Sequence, residues 1–362
     1  MIIIGVIFGL LEVYLLNKFP IELETFTIMI ILLMTILVSN YIHIIIHELG
    51  HLIFGKLVGY NLSSFRILSF VFVNYGEGLE IKRFNIPGTG GQCLMVPNYE
   101  MRENSYLFYN LGGGVFGIIT SLIIGAIVFA LTNNSVLILI TIHFVLIGLV
   151  MNFMNLIPMN IGGVDNDGKN IINAIKDKDI ERAFETQLRM NDRYLRGETY
   201  SDMNNLIHTI KLRYEGSKIK NSNIWFYSIL VQYYMENLEF DKAEELVDEI
   251  LRNKSNIISI IVNEIYCDKL FLSIIKNNKK EAKDCYEKVK SYLKASKYMQ
   301  DKIRILYSYE LLVNEDIKKA NILNKKFKKL NKDNPYKGQI KYEKNIINYV
   351  DDLYREKTNS II

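Results

Sequence analysis

The sequence predicts a mainly α-helical membrane protein. The expected architecture is a polytopic membrane helix bundle of about four spans with a small membrane-associated β-sheet, followed by a soluble α-helical, repeat-like domain. Three observations predict it. Mean hydropathy is +0.10 although 23% of the 362 residues are charged, which marks a chain with one apolar part and one polar part. Charge is divided accordingly: residues 1–164 hold six Lys/Arg and eight Asp/Glu, leaving 37 basic and 31 acidic residues for 165–362. No Asp, Glu, Lys or Arg occurs from Thr25 to Ile46 or from Asn104 to Val164, whereas the chain beyond about residue 170 is polar with a helical period. The expected domains are 1–175, embedded in the membrane, and 176–362, helical and cytoplasmic.

Residues 1–17 are apolar except for Glu12 and lack a basic leader and a small-residue cleavage site, so a first span is expected, with Glu12 near the outer interface. Lys18 to Glu24 makes a polar turn. The second span begins near Thr25 and its pattern runs to Phe54, longer than the roughly 20 residues a bilayer core requires, with Lys56 marking its far end. From Tyr60 to Glu103 the character changes. Strands are expected at Phe65–Val73, Leu79–Phe84 and Gln92–Val96, separated by Gly-rich turns at Asn74–Gly78 and Pro87–Gly91. Arg66, Lys82 and Arg83 keep this sheet out of lipid. Spans three and four follow at about Tyr106–Leu131 and Val136–Ile157, with Thr132–Ser135 as the turn. Gly112, Gly113, Gly114 and Gly117 suit close helix approach better than phosphate binding, because no strand leads into them.

The basic residues set the orientation. Lys56, Arg66, Lys82, Arg83 and Arg102 all lie in the 56–103 loop, which is therefore cytoplasmic, as are both termini. The expected location is a bacterial cell membrane. Net charge of +6 over 165–362 is spread through interleaved signs and reads as a solvated surface, so a nucleic-acid partner is not expected. Cys93, Cys267 and Cys285 have no paired spacing and read as core residues. In the polar half, Lys242-Ala243, Glu281-Ala282 and Lys319-Ala320 recur at spacings of 39 and 38 residues, each after an Asn-bearing turn. The best copy, Trp225-Phe226-Tyr227 through Phe240-Asp241-Lys242-Ala243-Glu244-Glu245, resembles a tetratricopeptide-like helix pair. That resemblance implies a surface for a cytoplasmic protein or peptide partner.

Chemistry concentrates at His47-Glu48-Leu49-Gly50-His51, at the end of the second apolar run. Positions i and i+4 share a helix face, so His47 and His51 can bind one ion with Glu48 beside it as base for a metal-bound water. Placing two histidines and a glutamate in lipid merely as packing is costly. His43 and His143 read as packed or hydrogen-bonded histidines. A third ligand is sought in Asn155-Leu156-Ile157-Pro158 through Asp165-Asn166-Asp167-Gly168, where Pro158 breaks the helix and the glycines let a carboxylate swing inward. Asp167 is also a good helix N-cap.

An HExxH at the cytoplasmic end of one span, followed two spans later by N-x-x-P and then D-G, resembles the site-2 protease family of intramembrane zinc metalloproteases over roughly residues 25–175. The resemblance implies one Zn2+ held by His47, His51 and the Asp of D-G, with Glu48 as general base. The family's common pattern places that Asp eight residues after the Asn. Here position 163 is Gly, and Asp167 is the choice, with Asp165 in reserve. Asn155, together with Asn152, is expected to donate hydrogen bonds to substrate backbone or oxyanion. The small sheet resembles the family's strands that pair with an extended substrate. The implied function is endopeptidase cleavage of membrane-bound peptides or tethered regulators. The rival readings are a membrane-anchored helical-repeat adaptor and a peptide secretion or immunity accessory with a non-proteolytic metal site.

Overall fold

The structure is a computed structural model that describes residues 13, 14, 18, 23–84, 90–98, 104–161, 164–176, 178–220 and 223–359. The expected first span at 1–17 lies outside the described residues apart from Val13 and Tyr14. Among the described residues the chain is mainly helical, with three helices long and apolar enough to cross a membrane. These are α1 (Thr25–Leu57), α2 (Ser105–Leu131) and α3 (Ser135–Leu156). Their starts have local causes. Asn134 caps α3 by accepting from the Leu137 N–H at 3.0 Å, and Asn104 enters α2 from a left-handed φ of 62°. With 33 residues α1 is about 50 Å long, well beyond a hydrocarbon core of about 30 Å.

The three helices pack on one another through glycine. A Cβ on Gly112 would fall 2.6 Å from the Gly50 carbonyl oxygen, and one on Gly50 would fall 2.3 Å from the Gly112 oxygen. Backbones of α1 and α2 therefore touch at this crossing, one turn from the histidines. Gly114 and Gly117 make room for the side chains of Leu156 and Asn152 of α3.

Four strands follow α1: β1 (Tyr60–Ile67), β2 (Phe70–Asn74), β3 (Leu79–Arg83) and β4 (Gly91–Pro97), in sheet order β3-β2-β1-β4. The run Phe65–Val73, expected as one strand, is two. Leu68 adopts a left-handed φ of 54°, and its N–H donates to the Gly90 carbonyl at 2.8 Å, so the chain turns there. Leucine seldom takes this conformation, so nothing in its type signals the turn. β1 and β4 are antiparallel from Tyr60↔Pro97 to Ile67↔Gly91, with an irregularity between Leu62 and Ser64. Arg66 is buried at this pair and donates to the carbonyls of Leu68 and Gly91 at 2.9 and 3.0 Å. Beyond α3, Asn160↔Asp165 and Ile161↔Val164 form a short β5–β6 hairpin (Asn160–Ile161 and Val164–Asp165) that leads into α4 (Asp167–Lys176).

The chain divides into two compact units. One is Met1–Phe70 with Asn85–Glu185, and the other is Val71–Phe84 with Thr186–Ile362. The second unit is helical: α5 (Lys178–Arg196, which bridges the boundary in sequence), α6 (Asn204–Tyr214), α7 (Ile224–Glu236), α8 (Phe240–Arg252), α9 (Ser259–Ile275), α10 (Lys279–Ala295), α11 (Gln300–Ser308), α12 (Ile317–Asp333) and α13 (Lys337–Asn359). Val71 and Val73 of the β2–β3 hairpin pack with Leu195 inside it. The helices pair in order, α7 with α8, α9 with α10, α11 with α12. Each pair turns on a left-handed residue, Leu238, Asn277 and Glu315, with φ of 59°, 56° and 57°. Ala243, Ala282 and Ala320, the residues whose recurrence marked the sequence, each sit fourth in the second helix and are buried.

This core also holds charge. Arg304 Nε donates to Glu343 Oε2 at 2.7 Å with both side chains buried, and the guanidinium lies 4.3 Å over the Phe271 ring. Removing one partner strands the other in a medium that solvates it poorly. Glu343→Ala is expected to lower stability by about 3–5 kcal/mol, read as a thermal shift of the full chain. A shift no larger than that of Arg355→Ala, which breaks an exposed pair with Asp352, contradicts this.

Candidate metal centre

The sequence HELGH lies in the last turns of α1, so His47 and His51 stand one above the other on one face. Asp167 is the first residue of α4. Its approach is arranged by its neighbours on both sides. Asn166 Oδ1 accepts from the Lys169 N–H at 3.0 Å and so caps α4, while its Nδ2 donates to the carbonyls of Met154 and Ile157 at 3.0 and 2.7 Å. A Cβ on Gly168 would fall 2.0 Å from the Leu156 carbonyl oxygen. Only glycine lets the start of α4 lie on the end of α3 this closely. The helix N-cap is thus Asn166, and Asp167 is left to face α1.

Three ligand atoms converge. His47 Nε2 and His51 Nε2 are 3.1 Å apart, and each is 3.2 Å from Asp167 Oδ2. The other ring nitrogens are committed elsewhere. His51 Nδ1–H donates to the Tyr109 carbonyl at 2.8 Å, and His47 Nδ1–H donates to Asn152 Oδ1 at 3.1 Å. The Asn152 amide is itself oriented by its Nδ2 donating to the Gly148 carbonyl at 2.7 Å. Both acceptors lack a proton to give, so in the neutral rings the protons sit on Nδ1 and the Nε2 lone pairs point inward. Two lone pairs and a carboxylate oxygen at such separations repel, and a cation among them would relieve that repulsion. The group His47, His51 and Asp167 can hold one metal ion. Burial pushes the Asp167 carboxyl up, but the imidazoles in their charged form outweigh it and hold it well below the usual carboxylate range, and a cation among the three ligand atoms would act in the same sense.

The expected residues are distributed as follows. Glu48 is half-buried, and its carboxylate lies against β4, where a Cβ on Gly91 would be 2.7 Å from Oε1. Asn155 donates from Nδ2 to His47 Nε2 at 2.9 Å and also to Asp167 Oδ2. Asp165 stays outside the cluster: its oxygens accept from Asn160 Nδ2 and, at 2.9 Å, from Asn173 Nδ2. His43 Nε2 donates to the Phe144 carbonyl at 2.8 Å, and His143 Nδ1 donates to the Leu139 carbonyl at 2.8 Å, so both serve helix packing.

Two groups at the site carry no sequence signal of their role. Gly113 brings the α2 backbone against the ligands: a Cβ there would be 2.5 Å from His51 Nε2 and 2.7 Å from His47 Nε2. Tyr109 holds His51 through its carbonyl and fastens the sheet by donating its hydroxyl to the Cys93 carbonyl.

Comparison with protein-family models, with curated proteins and with solved structures found no match to this chain.

Proposed function

We propose that the chain is an intramembrane zinc metalloendopeptidase of the site-2 protease kind, which cleaves membrane-bound peptides or tethered regulators. The observation that carries the reading is the convergence of two imidazole nitrogens and one carboxylate oxygen in the C-terminal part of an apolar helix, with a glutamate next to the first histidine. Donor separations of 3.1–3.2 Å are close to the edge of a tetrahedron with bonds of about 2.0–2.1 Å, which supports zinc. Three protein ligands leave a fourth position for water, the pattern of catalytic rather than structural zinc.

When bound, the zinc supplies a Lewis acid and lowers the pKa of water beside the scissile carbonyl. Glu48 takes the proton from the attacking water and returns it to the departing amine as the C–N bond breaks. Asn155 places an amide donor beside His47 and Asp167, where it can receive negative charge that develops on the carbonyl oxygen. A helical substrate hides its peptide bonds, so it must unwind before attack. β4 ends the sheet order, with Gly91 beside Glu48, and its outer edge offers main-chain groups to an unwound strand. The reading places both termini in the cytoplasm of a bacterial cell, supported by the basic residues of 56–103. The tetratricopeptide-like half serves a cytoplasmic partner.

Mapping new peptide termini in membranes of cells with and without the chain tests the proposal. Termini that appear only with the chain and fall within or beside apolar spans are expected. If no terminus depends on the chain in the cells where its gene normally operates, the protease reading fails.

A further inference from the structure

The second unit carries a pocket that the metal chemistry does not use. It lies among α10, α11 with its π-helical extension Tyr309–Val313, and α12, and its volume is about 320 Å3. That is near the lower end of the roughly 300–1,000 Å3 of small-ligand pockets, which gives room for one or two apolar side chains. The floor is apolar. Leu293 and Leu306 are buried there, and Tyr286 stacks on Tyr309 with ring centroids 4.4 Å apart. Ile322 stands in the wall with 67% of its surface exposed.

Charge around this floor is one-sided. Lys290, Lys294, Lys297 and Lys319 all line the pocket, against one acid, Glu310. Glu310 is already engaged: Asn314 Nδ2 donates to it at 2.9 Å, and Lys319 lies 4.0 Å away. Lys290 pairs with Glu287 at 3.1 Å and Lys319 with Asp316 at 2.9 Å. Lys294 and Lys297 have no carboxylate partner among the described residues. Behind the wall, α12 holds seven lysines and one acid, Asp333. Burial and then the Lys297 charge both push the Lys326 ammonium down, so the cations in this region repel one another. The widened turn at Tyr309–Val313 is of a kind frequently found at functional sites.

We infer that this pocket docks an acidic peptide segment. One or two apolar side chains of the peptide rest on the Leu293–Leu306 floor, and its carboxylates meet Lys294 and Lys297. An incoming anion with an apolar body relieves the repulsion and covers the floor together. A concave pit favours a peptide over an anionic membrane, because a flat surface would meet the lysines without filling the cavity. The inference rests on the second unit alone and holds whether or not the metal site hydrolyses peptides.

The test uses the full chain in zwitterionic nanodiscs and a fluorescein-labelled peptide that alternates glutamate with leucine and one central phenylalanine. A peptide with lysine in place of each glutamate, and phosphatidylglycerol vesicles, are the comparison probes. Saturable, salt-sensitive binding of the acidic peptide is expected, with none for the basic one. The double variant Lys294→Glu, Lys297→Glu is expected to weaken it by at least about tenfold, since two attractions become two repulsions. Ile322→Asp, an exposed change that should leave folding intact, weakens it too by charging the wall. Absence of saturable binding overturns the inference. So does binding that neither variant changes, or a preference for the vesicles that Ile322→Asp leaves untouched, which would assign the lysines to an anionic lipid surface.

Discussion

A Glu48→Gln chain is expected to insert, bind zinc as the parent does, and lose peptide cleavage by about 10²–10⁴-fold. The substitution keeps the size of the side chain and its place against Gly91. It removes only the ability to accept and return a proton. His47, His51 and Asp167 do not depend on it for their own contacts, which run to Asn152, the Tyr109 carbonyl and Asn155. Zinc content measured alongside terminal mapping therefore separates a lost base from a lost fold. Cleavage unchanged by Glu48→Gln would remove the hydrolase reading while leaving the metal site standing.

Gly113→Ala has the second large expected effect, and its sign runs against helix propensity. Alanine in place of glycine favours a helix interior by about 0.8–1.0 kcal/mol. At this position, however, the added methyl would lie 2.5 Å from His51 Nε2 and 2.6 Å from His47 Cε1. Something must shift. α1 and α2 already meet backbone to backbone at the neighbouring Gly50 and Gly112, so parting the helices to admit the methyl would break that contact. The imidazoles move instead, and loss of nearly all bound zinc is expected with the helix content by circular dichroism retained. Gly125→Ala is the matched control. Its methyl meets the Val145 Cγ2 at 2.9 Å and the Phe129 ring at 4.0 Å, neither of them at the ligands, and zinc should stay bound. Full zinc in Gly113→Ala would show that the ligand cluster is not seated against α2 as described.

What could be read from the sequence followed from how local each feature is. HELGH could be read because both histidines and the glutamate lie within five residues, and helical spacing alone brings the histidines to one face. The long helices could be read because lipid demands unbroken apolar length. Span limits fell within a residue or two of Ser105–Leu131 and Ser135–Leu156. The choice between Asp165 and Asp167 could not be settled by spacing. It depends on a two-residue hairpin, Asn160–Ile161 with Val164–Asp165, and on Asn166 taking the cap that Asp167 could otherwise have made. Gly113 reads as packing because a glycine run says that something comes close without saying what. The turn at Leu68 rests on a bond to Gly90, 22 residues further on. Val71 and Val73 pack with Leu195 at a separation of more than 120 residues, so no local pattern shows to which unit the β2–β3 hairpin belongs. In the helical half, the recurring alanines could be read because each sits at the same place in its pair. The lysine-rimmed pocket could not, since its rim comes from three helices whose charges look like ordinary solvated faces one at a time.

The central claim is that His47, His51 and Asp167 together hold one zinc ion. The measurement closest to it is the zinc content of the purified full chain, set against Asp167→Ala and Asp165→Ala prepared in the same way. The expected result is about one zinc per chain in the parent and in Asp165→Ala, whose carboxylate serves Asn160 and Asn173, and a content near zero in Asp167→Ala. Full zinc in Asp167→Ala, or zinc lost from Asp165→Ala alone, would contradict the account.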